Sequence, residues 1–139
     1  MNSNLDLQAL LCEIDDEFLP PLSSRVNLSQ YASKIVNSAT LLCIYESGHL
    51  SAFAAVYCND ARRGTAYLTM LAVAKRCRGR GLALSLLRSS LEYLRGLKFA
   101  CLKLEVYKNN RRAIGIYRKL GFEVVDETTS SLFMQFEIV

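Results

Sequence analysis

"LTMLAVAKRCRGRGLALSLL", Leu68 to Leu87, is the stretch on which the reading of the fold turns. Its first third is nearly all apolar, as suits a strand covered on both faces. Its last third opens an amphipathic helix, with Leu84, Leu87, Leu91 and Leu94 marking one face. Between them lies "KRCRGRG", Lys75 to Gly81, with four cations and two glycines in seven residues. A strand that turns tightly into a helix leaves the first N–H groups of that helix free, at the positive end of its dipole. Gly79 and Gly81 let the backbone bend sharply and come close to a ligand. Arg76, Arg78 and Arg80 add charge around them. Together these features make an anion site best suited to phosphate. The Gly-Lys-Ser/Thr ending of a Walker loop is absent, and the GxGxxG spacing of a dinucleotide fingerprint fails.

The pattern on either side is consistent with an α/β chain. Leu7, Leu10, Leu11, Ile14 and Phe18 recur at helical spacing, and Pro20-Pro21 is expected to stop that helix. Asn27 followed by Gln30 resembles a capping box, ahead of a second helix whose apolar face is Leu28, Tyr31, Ile35 and Val36. "TLLCIYE" and "LSAFAAVYC" read as strands joined by a turn at Ser47-Gly48. Downstream, "ACLKLEVY" alternates, with Leu102, Leu104 and Val106 on one side and Lys103, Glu105 and Tyr107 on the other. "NNRRAIGIYRKL" starts with candidate Asn caps, carries Ala113, Ile116, Tyr117 and Leu120 on one face, and ends where Gly121 suits a helix C-terminus. "FEVV" and "SLFMQFEIV" close the chain as strands. The order is ααβββαβαββ, read as a single domain over residues 1–139 around a mixed, mostly antiparallel sheet. The final strand is a candidate for pairing across a dimer edge; a covered or isolated edge fits equally well, so the chain is a monomer or a homodimer.

With 139 residues, 51% of them hydrophobic, the chain suits one compact core. The net charge of +4 is a mild excess, well short of the bias or long basic run usual in a nucleic-acid binder. Of the cysteines Cys12, Cys43, Cys58, Cys77 and Cys101, no two have CxxC spacing, and there is a single histidine, His49. That argues against a zinc site. Most of these cysteines fall in apolar runs and read as small core residues. His49 reads as surface, and Cys77 has no adjacent base to activate it. Arg62-Arg63 and Arg111-Arg112 read as solvated faces. The start of the chain lacks a signal-peptide pattern and no apolar run is long enough to span a membrane, so a reducing cytoplasm is the expected home.

Two blocks carry a family resemblance. Arg-x-x-Gly-x-Gly, from Arg76 through Gly79 to Gly81, resembles the pyrophosphate loop of the GNAT family, the Gcn5-related N-acetyltransferases. "LEVYKNNRRAIGIYRKLGF", Leu104 to Phe122, is similar to the other signature of that family, with Asn110, Ala113, Tyr117, Gly121 and Phe122 in the matching places. The resemblance implies the GNAT fold, with helices on both faces of the sheet, and acetyl-CoA as cosubstrate. It implies that main-chain groups around Leu71 and Val73 pair with the pantetheine arm. Arg78, Gly79, Arg80, Gly81 and Ala83 would line the pyrophosphate loop, with Arg76 joining through its backbone or side chain.

Amine attack on the thioester expels a CoA thiolate, and a phenol nearby can protonate that sulfur. Tyr117 is the candidate for this general acid; the competing reading is a core tyrosine. The acceptor ammonium must first lose a proton, directly or through water. Glu105, in a "LEV" that looks like the RimI-like ribosomal-protein alanine acetyltransferases, is either that base or a cross-strand partner of a cation. Asn110 is either a cofactor ligand or a helix N-cap.

The acceptor is left open between a small-molecule amine, such as an amino sugar or amino acid, and a protein N-terminus. Ser23, Ser24 and Arg25 would favour a hydroxylated or anionic acceptor; the Glu105/Tyr117 pair favours a peptide. Beside the N-acetyltransferase reading stand a catalytically silent CoA-binding domain and a nucleic-acid-binding module, the latter disfavoured by the charge.

Overall fold

The computed structural model describes residues 3–18 and 20–138. Among them are four helices, α1 (Ser3–Ile14), α2 (Leu28–Ser38), α3 (Leu82–Gly96) and α4 (Arg111–Leu120). Six strands, β1 (Thr40–Glu46), β2 (His49–Tyr57), β3 (Thr65–Val73), β4 (Cys101–Tyr107), β5 (Glu123–Glu127) and β6 (Ser131–Glu137), form one sheet in the order β1-β2-β3-β4-β6-β5. β3 runs parallel to β4, while β6 is antiparallel to both β4 and β5. The sheet is therefore mixed, and the element order is the one read from the sequence. By proximity the chain divides into two compact units, Met1–Ala55 with Met70–Leu87 and Val56–Thr69 with Arg88–Val139.

In the first unit, Leu7, Leu10, Leu11 and Ile14 of α1 meet Ala32 and Ile35 of α2 and Leu50, Phe53 and Ala55 of β2 in one buried cluster. The periodicity of α1 was legible, but not its end. The helix stops at Ile14, well before the prolines, and a single tight helical turn follows over Asp15–Glu17. Three carboxylates in a row would crowd the negative end of the helix dipole. Asp15 instead turns away to accept hydrogen bonds from the N–H of Ser23 at 2.7 Å and its hydroxyl at 2.6 Å. Phe18 still packs against the core. Asn27 caps α2, its side chain accepting the N–H of Gln30 at 3.0 Å. The β1–β2 turn has positive φ at both Ser47 (51°) and Gly48 (79°), the mirror-image geometry whose twist matches its strands.

In the second unit, β4 buries Leu102, Leu104 and Val106 and leaves Glu105 exposed. α4 is closed by the aromatic series Tyr117–Phe122–Phe136, with ring centroids 5.6 and 5.4 Å apart. Arg63 is not a free surface charge. Its guanidinium lies 5.5 Å over the buried ring of Phe99 and donates to the carbonyl of Leu97 at 3.3 Å.

Two expectations are corrected. The final strand is not a sheet edge: β6 pairs on one side with β4 and on the other with β5. β5 takes the edge instead, fully exposed along its length and bulged between Val124 and Asp126. Nor are most cysteines in the core. Only Cys77 and Cys101 are buried, Cys58 is half-buried, and Cys12 and Cys43 are exposed. Cys12 falls off the apolar stripe of α1, and Cys43 is the exposed residue of an edge strand.

Gly121 caps α4 at φ 115° and ψ 9°, and a Cβ there would meet Phe136 Cε2 at 3.2 Å. Gly121→Ala is expected to cost roughly 1–3 kcal/mol from strain and crowding together. Urea unfolding will show this as a lowered midpoint at unchanged slope.

Candidate active site

The loop expected to bind phosphate begins as a tight helical turn over Lys75–Cys77 and passes through Gly79 (φ 81°) and Gly81 (φ 76°) into α3. A Cβ at either glycine would meet nothing within 4 Å. These glycines are therefore required by backbone conformation rather than by crowding. The first helical bond of α3 runs from the N–H of Ser85 to the carbonyl of Gly81 at 3.0 Å. By helix geometry the N–H groups of Leu82, Ala83 and Leu84 have no acceptor in a preceding turn. This is the dipole-backed donor set that the sequence pattern anticipates.

The charge around the loop is arranged differently from the expectation of open arginines. Each of its four cations is paired with a carboxylate from the same unit. Lys75 meets Asp16 at 3.4 Å, Arg76 meets Glu13 at 3.7 Å, Arg78 meets Glu17 at 2.5 Å and Arg80 meets Glu46 at 2.5 Å. The last two are two-point contacts, with second bonds of 2.7 Å (Arg78) and 3.1 Å (Arg80). Glu13 also accepts the backbone N–H of Lys75 at 2.7 Å. The acidic run ending α1 was not recognised as the partner of this loop. Its only signal in the sequence is the complementarity of "EIDDE" to "KRCRGR", some sixty positions apart.

Leu71 and Val73 are half-buried on β3. The registered pairing of β3 with β4 runs from Thr65–Cys101 to Leu68–Leu104, so both residues lie beyond its end. The carbonyl of Val73 accepts two N–H groups of Arg78, at 3.2 and 3.1 Å. These fill the two acceptor positions of that oxygen.

The remaining site residues belong to the second unit. Tyr117 is buried on α4, with its ring against Phe122. Its hydroxyl makes no hydrogen bond to a described residue. No buried side-chain oxygen or nitrogen among those residues is left unpaired, so the phenol oxygen reaches solvent. Burial pushes Tyr117 up to about 12, which keeps the phenol protonated throughout the neutral range. Asn110 is the N-cap of α4, its side chain accepting the N–H of Ala113 at 3.2 Å. Glu105 is exposed opposite Phe133 of β6, with no ion pair or hydrogen bond to a described residue. It is therefore not held as the cross-strand partner of a cation. No hydrogen bond joins Glu105, Asn110 and Tyr117 to one another.

In the segment before α2, Ser23 is committed to Asp15, and the hydroxyl of Ser24 donates to the carbonyl of Pro21 at 2.6 Å. Phe18, Val26 and Tyr31 pack on the core. The case for these serines as acceptor contacts is weakened accordingly. His49 is exposed. Among the described residues no group of three or more His, Cys, Asp or Glu is placed to hold a metal ion, and no helix is long and apolar enough to cross a membrane.

The fold is shared with solved acetyltransferases. The PaiA N-acetyltransferase of Thermoplasma acidophilum, solved in complex with coenzyme A, superposes with a TM-score of 0.78 at 17% identity, over 98% of this chain and 95% of that one. The ribosomal-protein-alanine N-acetyltransferase of Brucella melitensis gives 0.72 at 23% identity, over 98% and 96%. The RimI-like resemblance of "LEV" thus has a counterpart among the structural neighbours. In sequence, 72 residues are 38% identical to the N-alpha-acetyltransferase 30 of Schizosaccharomyces pombe, covering 49% of this chain and 48% of the relative. The chain spans about half the length of that curated relative. The acetyltransferase (GNAT) family model matches residues 6–122. The chain belongs to the GNAT acetyltransferase family.

Two titrations follow from the site. Hydrogen bonds from Arg80 and then Ser51 hold Glu46 at about 2 against its ordinary 4.5, and the hydrogen bond from Arg78 lowers Glu17. Both folded-state values lie below the unfolded ones. Their stabilisation is complete above the ordinary carboxylate range and is lost as pH falls through the lowered values, for Glu46 towards 2. The stability difference between wild type and Glu46→Gln is expected to narrow over that interval in urea titrations. Tyr117 has the opposite sign. Its contribution is present below 10 and lost as pH rises to about 12. Absorbance titration of the phenolate will show a late step that Tyr117→Phe removes.

Proposed function

We propose that the chain acts, as one domain over residues 1–139, as an acetyl-CoA-dependent N-acetyltransferase, with the N-terminal amine of a protein or peptide as acceptor. The observation that carries this reading is the state of Tyr117. A buried ring fixes the phenol, burial keeps it protonated, and no described residue claims its hydroxyl. A hydroxyl that reaches solvent is open to a group arriving from solution.

In the proposed reaction the amine nitrogen bonds to the thioester carbonyl carbon. The C–S bond then breaks with its electron pair on sulfur, and the Tyr117 hydroxyl gives its proton to the thiolate. Glu105 takes the proton lost by the amine, directly or through one water. Its exposure and the lack of a cationic partner among the described residues suit a carboxylate kept available as a base. The N–H groups at the start of α3 and around Gly79 and Gly81 are assigned to the pyrophosphate, with Ala83 in the first helical turn. Main-chain groups of Leu71 and the N–H of Val73 are assigned to the pantetheine, since the Val73 carbonyl is filled by Arg78. Asn110 contributes through its cap, by setting the start of the helix that carries Tyr117.

The choice of a protein N-terminus over an amino sugar rests on the sequence relative, an N-alpha-acetyltransferase, and on the internal use of Ser23 and Ser24. Five free thiols suit a reducing compartment, and a cytoplasmic location goes with this reading.

Acetyl-CoA at 100 times its Kd should stabilise the protein by about 2.7 kcal/mol and raise its melting temperature. Tyr117→Phe should lower kcat by about 100-fold or more while leaving the melting shift intact. CoA release measured across N-terminal peptides, amino sugars and polyamines identifies the acceptor. Full turnover by Tyr117→Phe would remove the acid from the mechanism, and no melting shift at millimolar acetyl-CoA would remove the cosubstrate.

A further inference from the structure

Glu46 ends β1, directly before the Ser47-Gly48 turn, and its carboxylate does more than balance a charge. Oε1 accepts the hydroxyl of Ser51 at 3.0 Å, the thiol of Cys77 at 3.7 Å and Nη2 of Arg80 at 2.5 Å, and Oε2 accepts Nη1 of Arg80 at 3.1 Å. Cys77 precedes Gly79 and Arg80 follows it, so one carboxylate holds the loop on both sides of its first glycine. Nε of Arg80 closes the arrangement on the carbonyl of Cys77 at 3.4 Å.

The anchor beneath is firm. Ser51 is wholly buried on β2, and its own carbonyl accepts the N–H of Ala74, at the entrance of the loop, at 2.8 Å. The other three carboxylates differ in kind. Asp16, Glu13 and Glu17 pair with Lys75, Arg76 and Arg78, all on the entry side of Gly79, and none of the three also binds a buried hydroxyl and a thiol.

The loop needs such a tether. Nothing lies within 4 Å of where a Cβ would stand at Gly79 or Gly81, so no neighbour packs there to fix the turn. Glycine-rich backbone without packing has many accessible conformations, and an anion site built from N–H groups works only if those groups converge before the ligand arrives. We infer that Glu46 is the positioning residue of the anion-binding loop: by holding Cys77 and Arg80 against the Ser51 anchor, it fixes the N–H groups of Gly79–Gly81 for an acyl-CoA pyrophosphate. Arg80 acts first through Glu46, to which each terminal nitrogen of its guanidinium gives one of its two N–H donors. The identity of the ligand rests on the acetyltransferase reading above; the tether does not.

The experiment has one arm without cosubstrate and one with it. In the first, Cys77 is alkylated with iodoacetamide under native conditions and its rate followed by peptide mass spectrometry, with Cys101, buried in the other unit, as internal reference. Glu46→Ala should expose Cys77 and speed its alkylation about tenfold or more, with Cys101 unchanged; the near-isosteric Glu46→Gln should give an intermediate rate. In the second, the KM for acetyl-CoA should rise about tenfold in Glu46→Ala while kcat at saturating acetyl-CoA falls less than about threefold.

Protection of Cys77 in both variants would overturn the inference, as would equal acceleration at Cys77 and Cys101 or an unchanged KM. If Glu46→Ala does not fold, the same criteria apply to Glu46→Gln, which keeps the bond from Ser51 and loses the charge. Failure of the wild type to bind acetyl-CoA would strike the proposed function alone, since the alkylation rates still decide whether Glu46 holds the loop.

Discussion

The parallel pairing of β3 with β4 is the constraint from which the rest of the site follows. Antiparallel neighbours can be joined by a short turn, but parallel ones need a crossover, and here α3 provides it. The chain leaving the carboxyl end of β3 must reverse within a few residues and enter a helix. A tight reversal into a helix leaves donor groups unsatisfied at the helix start. The same parallel order sends β4 off its carboxyl end into Asn110 and α4. The glycine loop thus follows the carboxyl end of β3, and the helix bearing Tyr117 follows that of β4.

Much of this was legible because it is local. The turn into α3, the cap at Asn27, the Ser47-Gly48 reversal, the alternation of β4 and the glycine closing α4 each depend on residues within a few positions of one another. The boundary of α1 was misread for a related reason. Proline is a strong stop signal, and it masked a softer electrostatic one at Asp15–Glu17. β6 was misread as an edge because its alternation reports which faces it presents and is silent on which strands flank it.

The carboxylates around the loop were beyond the reach of sequence alone. "KRCRGRG" shows four positive charges, and nothing nearby in the chain is negative. Their partners come from the end of α1, the turn after it and the end of β1, and only folding brings them together. The burial of Tyr117 followed from its helical face, but the lack of a described partner for its hydroxyl did not, since that depends on every element packed nearby. Motif spacing pointed to the family, whose model matches residues 6–122. What it omitted was the support that holds the motif in shape.

The edge strand β5 bears on a different property, the behaviour of the folded protein in concentrated solution. An exposed edge with two neighbouring valines is a template for intermolecular strand addition. Here the bulge at Val125 interrupts the ladder, and Glu123 and Asp126 add negative charge, while Glu127 pairs with Lys108 at 2.7 Å. A second β5 approaching edge to edge would meet both a broken hydrogen-bond register and its own charge. This edge thus carries an interrupted ladder and negative charge against the approach of another strand.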